Sequence, residues 1–533
     1  MSLLNDASLV VTPNAYKEGK LYSIIPSNGN GDFSVTRATT ATRVNAAGSV
    51  EAVPYNLAQY SEMFSQGVWA KTNVNISANV AIAPNGTLTA DKMIATSAGN
   101  NPFMAQDGIS SNGPTTLSVY AKKGELNWLR LTNFSASYSA AWFDLNNGTI
   151  GTVSGTAAPT ATITNAGNGW YRCTITLSSF SIGSAADFVI ACTNANNTTN
   201  GYTGNNVDGI FIWGAQAVDG ILARDYQITE TRLNVPRLDY SLGSCPNILV
   251  EPQRTNLVFP SATLTTQTRT VTAAAHTLSF YGTGTIALSG VFAGTLVGTG
   301  VNNRVTLTFT PTAGSLTLTV SGSVTLGQLE AGSYATSYIP TTSTTVTRNL
   351  DQILRNNVYT NGLITASGGT WFVELRGNVP VIRDLSTSGI FLNTGVSSTI
   401  GNGFVLRNPG SSLSRIGIFT VVAGGLSTNL HTIATENAKV AFKWNGTTAN
   451  IFVNGVKVVA ATPFTPTTME NLIAEGSNRA IQINSMALFP TPLTDGQCSM
   501  LTSGIYTPAL AYAQLGLVSE SPACLDSSVN ALL

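Results

Sequence analysis

Two stretches of this chain repeat each other at one fixed offset, and that repeat limits the possible folds more than any other feature. Gln216, Gly220, Ala223, Tyr226 and Thr229 of WGAQAVDGILARDYQIT fall opposite Gln328, Gly332, Ala335, Tyr338 and Thr341 of GQLEAGSYATSYIPT. A second pairing sets Val50-Glu51 and Asn56-Leu57 against Val250-Glu251 and Asn256-Leu257, again at one offset. A third sets Thr116–Tyr120 (TLSVY) against Thr277–Tyr281 (TLSFY). Fixed-offset similarity marks a duplicated module, so residues 213–257 close one module and open the next. A repeated glycine is usually a backbone requirement. Gly220 and Gly332 therefore predict a turn at the closing strand, with Tyr226 and Tyr338 packed beneath that corner.

The module is a β one. Only 10% of the residues are charged, against about 25% in ordinary globular domains, and Thr, Ser, Asn and Gly take the place of the missing charge. Short apolar runs alternate with turn signals such as Pro84-Asn85-Gly86, Asn146-Asn147-Gly148, Asn445-Gly446 and Asn454-Gly455. Asn-Gly supplies the positive φ angles of a type I′ hairpin turn. Regular short strands with closely spaced turns indicate sandwiches. The expected fold class is all-β, tandem β-sandwich or jelly-roll domains with an extended N-terminal arm. Helix is expected only in short pieces near 56–66, 493–501 and 509–517.

The expected boundaries follow. Residues 1–56 read as an anchoring arm of short strands without a core of its own, and 57–229 as a jelly roll. Residues 230–261 read as a linker repeating the arm motif, and 262–347 as a smaller jelly-roll copy. A closed sandwich spans 348–505, and 506–533 form a tail. The polar run Thr341–Thr347 reads as a hinge before the last sandwich.

Formal net charge is zero, so no polyanion is attracted and nucleic acid is not an expected partner. Cys173, Cys192, Cys245, Cys498 and Cys524 show neither CxxC nor His-paired spacing; they read as free thiols, with no metal and no cofactor expected. No run approaches the ~20 apolar residues of a membrane span, and the N-terminus lacks the order of a secretory signal. The expectation is a chain made in a cytoplasm, with no membrane insertion.

The order GWYRC (169–173), FIWGAQ (211–216) and QLEAGSYATSYIPT (328–341) resembles the carbohydrate-binding-like jelly rolls of tailed-bacteriophage virion proteins, the head-fibre, spike and tail-fibre proteins. TLSFYGTGTIALSG (277–290) is similar to the same family. The opening, NDASLVVTPNAYKEGKLYSIIPSNGNGDFSVTRATTATRVNAAGSVE, resembles the N-terminal arm of structural proteins in Bacteroidetes and crAss-like phages. KVAFKWNGTTANIFVNGVKV, followed by MALFPTPLTDGQCSML, resembles a laminin-G or concanavalin-A-like lectin module. The resemblance spans about residues 5–505. It implies a non-enzymatic fibre or spike at the virion surface, made in the bacterial cytoplasm, which adheres to glycans. It also implies a homotrimer joined to other virion proteins, capsid or tail, through its arm. A polysaccharide depolymerase tailspike and a purely architectural connector are the competing expectations.

Glycoside hydrolysis asks for two carboxylates with one held protonated. The candidates are Asp144, Asp208, Asp219, Asp225, Glu330 and Glu374, of which Asp144 and Asp208 stand where turns favour Asp. His276 and His431 lie in different modules with no nucleophile motif nearby. No catalytic residue is therefore assigned. Glycan binding asks for aromatic faces beside a few polar groups. Trp128, Trp142, Trp170 and Tyr171 are the candidate glycan-binding residues, Trp170 foremost because it follows Gly-Asn-Gly at a strand entrance.

Overall fold

The structure, a computed structural model, describes residues 3–503 apart from 14, 110–112, 135–137, 181–186, 199–201, 366, 377–388, 395–402, 408–415, 423–424, 427–430, 434–436, 465–467 and 477–479. The chain is nearly all β, with antiparallel sheets and, among the described residues, one α-helix at Asp495–Ser503. It divides into two compact units, residues 54–232 and a second built from 1–53 together with 233 onward.

Residues 54–232 form a jelly roll of two sheets. One orders Thr149–Gly155, Ser139–Asp144, Trp128–Asn133, Phe188–Thr193, Phe103–Gln106 and Ala70–Thr72. The other orders Thr160–Gly167, Trp170–Leu177, Thr115–Lys123, Gly209–Asp219, Ala90–Ala95 and Val74–Ala81. Successive side chains alternate between faces, so Leu117, Val119, Leu129, Leu131, Ile175, Ile190 and Ile212 fill the space between the sheets.

The smaller copy keeps the centre of this plan and drops its flanks. His276–Gly282 runs between Gly300–Phe309 and Val324–Ala331, as Thr115–Lys123 runs between Trp170–Leu177 and Gly209–Asp219. Facing it, Thr285–Gly290 lies between Gly294–Val297 and Gly314–Ser321, with Gln267–Val271 beyond.

The repeat is reproduced bond by bond. Asn56 Nδ2 donates to the carbonyls of Ala215 and Gln227, and Asn256 Nδ2 to those of Gly327 and Ile339. Gln216 donates to the Arg224 and Asp225 carbonyls while accepting from the Gln227 amide; Gln328 does the same with Thr336, Ser337 and Ile339. Thr116 Oγ1 reaches the Gly220 carbonyl and Thr277 Oγ1 that of Gly332. The expected corner is present: Gly220 and Gly332 have φ of 102° and 147°. The Tyr226 hydroxyl lies 2.8 Å from Ser61 Oγ, and the Tyr338 hydroxyl 2.6 Å from Ser261 Oγ. Even the bulge is shared, with φ of 61° at Gly214 and 48° at Leu326.

The N-terminal segment departs from expectation. It is not an extended arm but part of the last sandwich. Leu9–Val11 pairs with Ile481–Phe489, and Phe33–Thr36 pairs with Gln352–Arg355. Leu9, Val11, Leu21, Phe33 and Val35 join Trp371, Phe442 and Leu488 in one core. The linker reading of 230–261 fails similarly, because Asn247–Val250 is a strand beside Ile481–Phe489. Apolar runs too short to bury themselves find a partner within the chain, where each Å² removed from water contributes about 25 cal/mol.

Thr341–Thr347 does not act as a free hinge either: Val346–Arg348 pairs with Arg254–Asn256, and Arg348 enters a buried ion network. Asp351 accepts from Arg37 Nη1 at 2.8 Å and from Arg237. Glu251 accepts from Arg237 Nη1 at 2.7 Å and from the Ser337 amide and hydroxyl at 2.9 and 2.7 Å, and forms an ion pair with Arg348 Nη1 at 2.9 Å. All five ionic side chains are at most 5% exposed. Although burial opposes ionisation, the surrounding guanidinium groups hold both carboxyls below the usual carboxylate range.

The expected helix at 493–501 appears two residues later, at Asp495–Ser503, opened by a capping box in which Thr494 and Gln497 exchange hydrogen bonds. Residues 56–66 are turns instead of helix. Their amides go to the carbonyls of Ala217, Glu230 and Thr229, and Tyr60 takes a φ of 47°. The segment 509–517 lies outside the described residues.

Candidate functional site

The candidate aromatic residues separate: Trp128 and Trp142 lie on the outer face of one sheet of the large jelly roll, Trp170 on the outer face of the other, and Tyr171 packs against the core between the sheets. Trp170 is buried beside Trp213, Tyr120 and Tyr226, and its indole N–H donates to the Ile82 carbonyl at 3.0 Å. Its ring meets protein on its faces, so the best candidate from sequence is a packing residue. Gly-Asn-Gly marked a tight strand entrance, which serves either purpose.

Trp128 and Tyr171 are brought to the same hairpin. A β-carbon on Gly148 would stand 2.6 Å from the Tyr171 ring, and one on Gly151 would stand 2.7 Å from the Trp128 ring. Both rings are half-buried and border the polar turn Asp144–Gly148. Asp144 Oδ1 accepts from the Asn146 and Asn147 amides, the turn role expected for it. Lys123 Nζ caps Asn146 Oδ1, and Asn196 Oδ1 accepts from the Thr152 amide at 2.8 Å.

From Trp128 the outer face continues inward. Leu129 and Leu131 point into the core, so Trp128, Arg130 and Thr132 share the opposite face, with Trp142 directly across from Arg130. Arg130 is 1% exposed; its guanidinium lies 5.9 Å from the Trp142 ring centroid and 5.7 Å from that of Phe134. Its Nη2 donates to Asn101 Oδ1 at 2.9 Å, and its buried Nε has no partner among the described residues. Phe134 stands edge-on to Phe103 at 5.5 Å and stacks with the exposed Tyr138 at 6.3 Å. Trp142 is buried, its N–H given to the Thr198 carbonyl. Sequence reasoning missed Arg130 because an arginine within WLRLTN reads as an ordinary outward residue of a half-buried strand.

The remaining carboxylate candidates are engaged locally. Glu330 accepts from Thr336 and Gln328, and Glu374 pairs with Arg376 and Lys439. Asp219 and Asp225 are exposed. A separate cleft of about 200 Å³ is lined by Tyr60, Glu62, Asp91, Thr229 and Glu230 among others. Burial raises the Asp91 pKa, opposed by hydrogen bonds from the Asn79 and Phe64 amides, which it fastens together. Sequence reasoning missed this cleft too, since its walls come from four separated segments, within 60–66, 78–79, 89–91 and 228–230. Among the described residues no group of three or more His, Cys, Asp or Glu is placed to hold a metal, and no helix is long and apolar enough to cross a membrane.

The fold and these faces define a multi-sandwich β protein. No protein-family model matches the chain, and no curated protein matches it significantly. Among solved structures, the binding domain of botulinum neurotoxin DC in complex with rat synaptotagmin II aligns at 11% identity and TM-score 0.21, over 29% of this chain and 40% of that one. The binding domain of Paraclostridial Mosquitocidal Protein 1 aligns at 11% identity and TM-score 0.20, over 28% and 43%. A GH54 α-L-arabinofuranosidase mutant soaked with 4-nitrophenyl α-L-arabinofuranoside aligns at 12% and 0.22, over 42% and 60%. The chain thus spans less than two thirds of each, and the likeness is too slight to carry a functional argument.

Proposed function

We propose that this protein is a non-enzymatic glycan binder, and that its binding face is the outer face opened by the half-buried Trp128, beneath which Arg130 and Trp142 lie buried. The observation that carries the reading is the contrast between the two copies of the jelly roll. In register with Trp128, Arg130 and Thr132 the smaller copy has Thr285, Ala287 and Ser289, and across from Ala287 it has Thr295 where the larger has Trp142. Ala287 and Thr295 are exposed, and the copy folds around its core without them. The smaller sandwich therefore forms without aromatic or cationic residues there, which supports a ligand role for those of the larger copy. Ring faces with a few directed polar groups are what saccharide recognition uses.

Within this reading the chain serves as a head or tail fibre or spike of a tailed-phage particle, adhering to host-surface or environmental glycans as a homotrimer beside other virion proteins. It is made in the host cytoplasm. The resemblance of GWYRC, FIWGAQ and QLEAGSYATSYIPT to virion jelly rolls supports this. The apolar runs of the N-terminal segment do not, because the protein's own core covers them.

The depolymerase reading has one observation in its favour, the carboxylate-lined cleft with Asp91 held toward its protonated form. Incubating the protein with capsular and surface polysaccharides separates the two. Retention without new reducing ends, weakened by Trp128→Ala, supports the binder. Release of oligosaccharides, abolished by Asp91→Asn, would replace it with an enzyme.

A further inference from the structure

Resting on that binding face, we propose that Arg130 makes it selective for acidic glycans, receiving the carboxylate of a sugar acid. Arg130 is a buried cation without a counter-ion. No acidic side chain forms an ion pair with it among the described residues, and the undescribed residues of its unit (110–112, 135–137, 181–186, 199–201) contain neither Asp nor Glu. The molecule treats its other deeply buried arginines differently: Arg37, Arg237 and Arg348 each lie within 3 Å of Asp351 or Glu251. A buried charge is costly unless paired and hydrogen-bonded. Among the described residues its one hydrogen bond is to the neutral Asn101 amide, with two aromatic rings alongside. Burial lowers the Arg130 pKa accordingly.

A guanidinium accepts a carboxylate along a flat edge through parallel N–H bonds. The partnerless Nε lies on such an edge. Solvent is one layer away, because Phe134 and Asn101 are only half-buried and Tyr138 is exposed. A sugar acid stacked on Trp128 presents its carboxylate two residues along the same face, the spacing at which Arg130 stands. Turning the Phe134 ring off the guanidinium exchanges a cation–π contact for a charge-assisted pair, the stronger of the two. Ala287 at the matching position of the smaller copy shows that the sheet itself has no need of this cation.

The test is isothermal titration of the full chain with polysaccharides bearing uronic or nonulosonic acids, each beside its carboxyl-reduced form, and with a sulfated neutral polymer. Binding should fall about tenfold or more on carboxyl reduction. Arg130→Gln should lose that preference while melting no lower than wild type, since it removes an unpaired buried charge. Equal affinity for the acidic and reduced forms would overturn the selectivity and leave glycan binding standing. Preference for the sulfated polymer alone would overturn the carboxylate assignment. A large drop in Arg130→Gln stability would mark a structural residue and overturn it as well. Retention of no glycan at all would overturn the binding face itself.

Discussion

Replacing Glu251 by Gln should destabilise the unit formed by residues 1–53 and 233 onward by about 3–5 kcal/mol, the usual cost of breaking a buried ion pair. The magnitude follows from the arrangement. Glu251 is 5% exposed and receives Arg237, Arg348 and both donors of Ser337. The amide keeps the shape but leaves Arg37, Arg237 and Arg348 facing Asp351 alone, while its NH2 meets donors where an acceptor stood. The control is built into the sequence: Glu51, the offset partner of Glu251, pairs with Arg43 at 2.9 Å but is 27% exposed. Glu51→Gln should cost about 1 kcal/mol or less. The assay is urea unfolding of both variants, followed across pH. Because the Glu251 carboxyl is held below its ordinary range, its contribution is fully present above the unfolded-state pKa of about 4.3 and is lost as pH falls through the folded value. The gap between wild type and Glu251→Gln should thus stay constant from pH 7 to about 5.5 and narrow only in stronger acid. A Glu251→Gln cost equal to that of Glu51→Gln would refute the reasoning.

Three further outcomes are expected. Tyr226→Phe and Tyr338→Phe should each cost about 0.5–1.5 kcal/mol, the loss of one hydroxyl bond to Ser61 or Ser261, by the same unfolding assay. Leu326→Gly should be neutral or stabilising by up to about 1 kcal/mol, whereas Leu326→Val should destabilise, since φ there is 48° and its counterpart is already Gly214. Deleting residues 1–53 should yield insoluble or molten protein by solubility and near-UV circular dichroism, because Leu9, Val11, Phe33 and Val35 leave the core of the last sandwich.

The local content of the fold was legible in the sequence. Alternation and Asn-Gly turns specify strands and hairpins through the geometry of two or three neighbouring residues, and a glycine or asparagine at a corner states its φ directly. The duplication was legible because both halves of each bond are copied: Gln216 bonds to residues close by in sequence, while Tyr226 and Thr229 bond to Ser61, whose counterpart Ser261 stands at the same offset as Asn56 and Asn256. Strand partnership between distant segments carries no such mark. Nothing in SLVV or GDFSVT names Ile481–Phe489 or Gln352–Arg355 as a neighbour, so apolar runs that read as an uncovered arm became the edge of a sandwich hundreds of residues away. The buried ion network had a faint sequence trace, Val35-Thr36-Arg37, Val235-Pro236-Arg237 and Val346-Thr347-Arg348, but a tripeptide does not show that its arginines converge. The binding face was half legible. Aromatic side chains could be found by type, yet which ring is spent on packing, as with Trp170, and which stands beside an unpaired cation, as Trp142 does with Arg130, depends on what lies across the sheet and over it. Burial and charge pairing are sums over residues remote in the chain, and only the tertiary structure performs them.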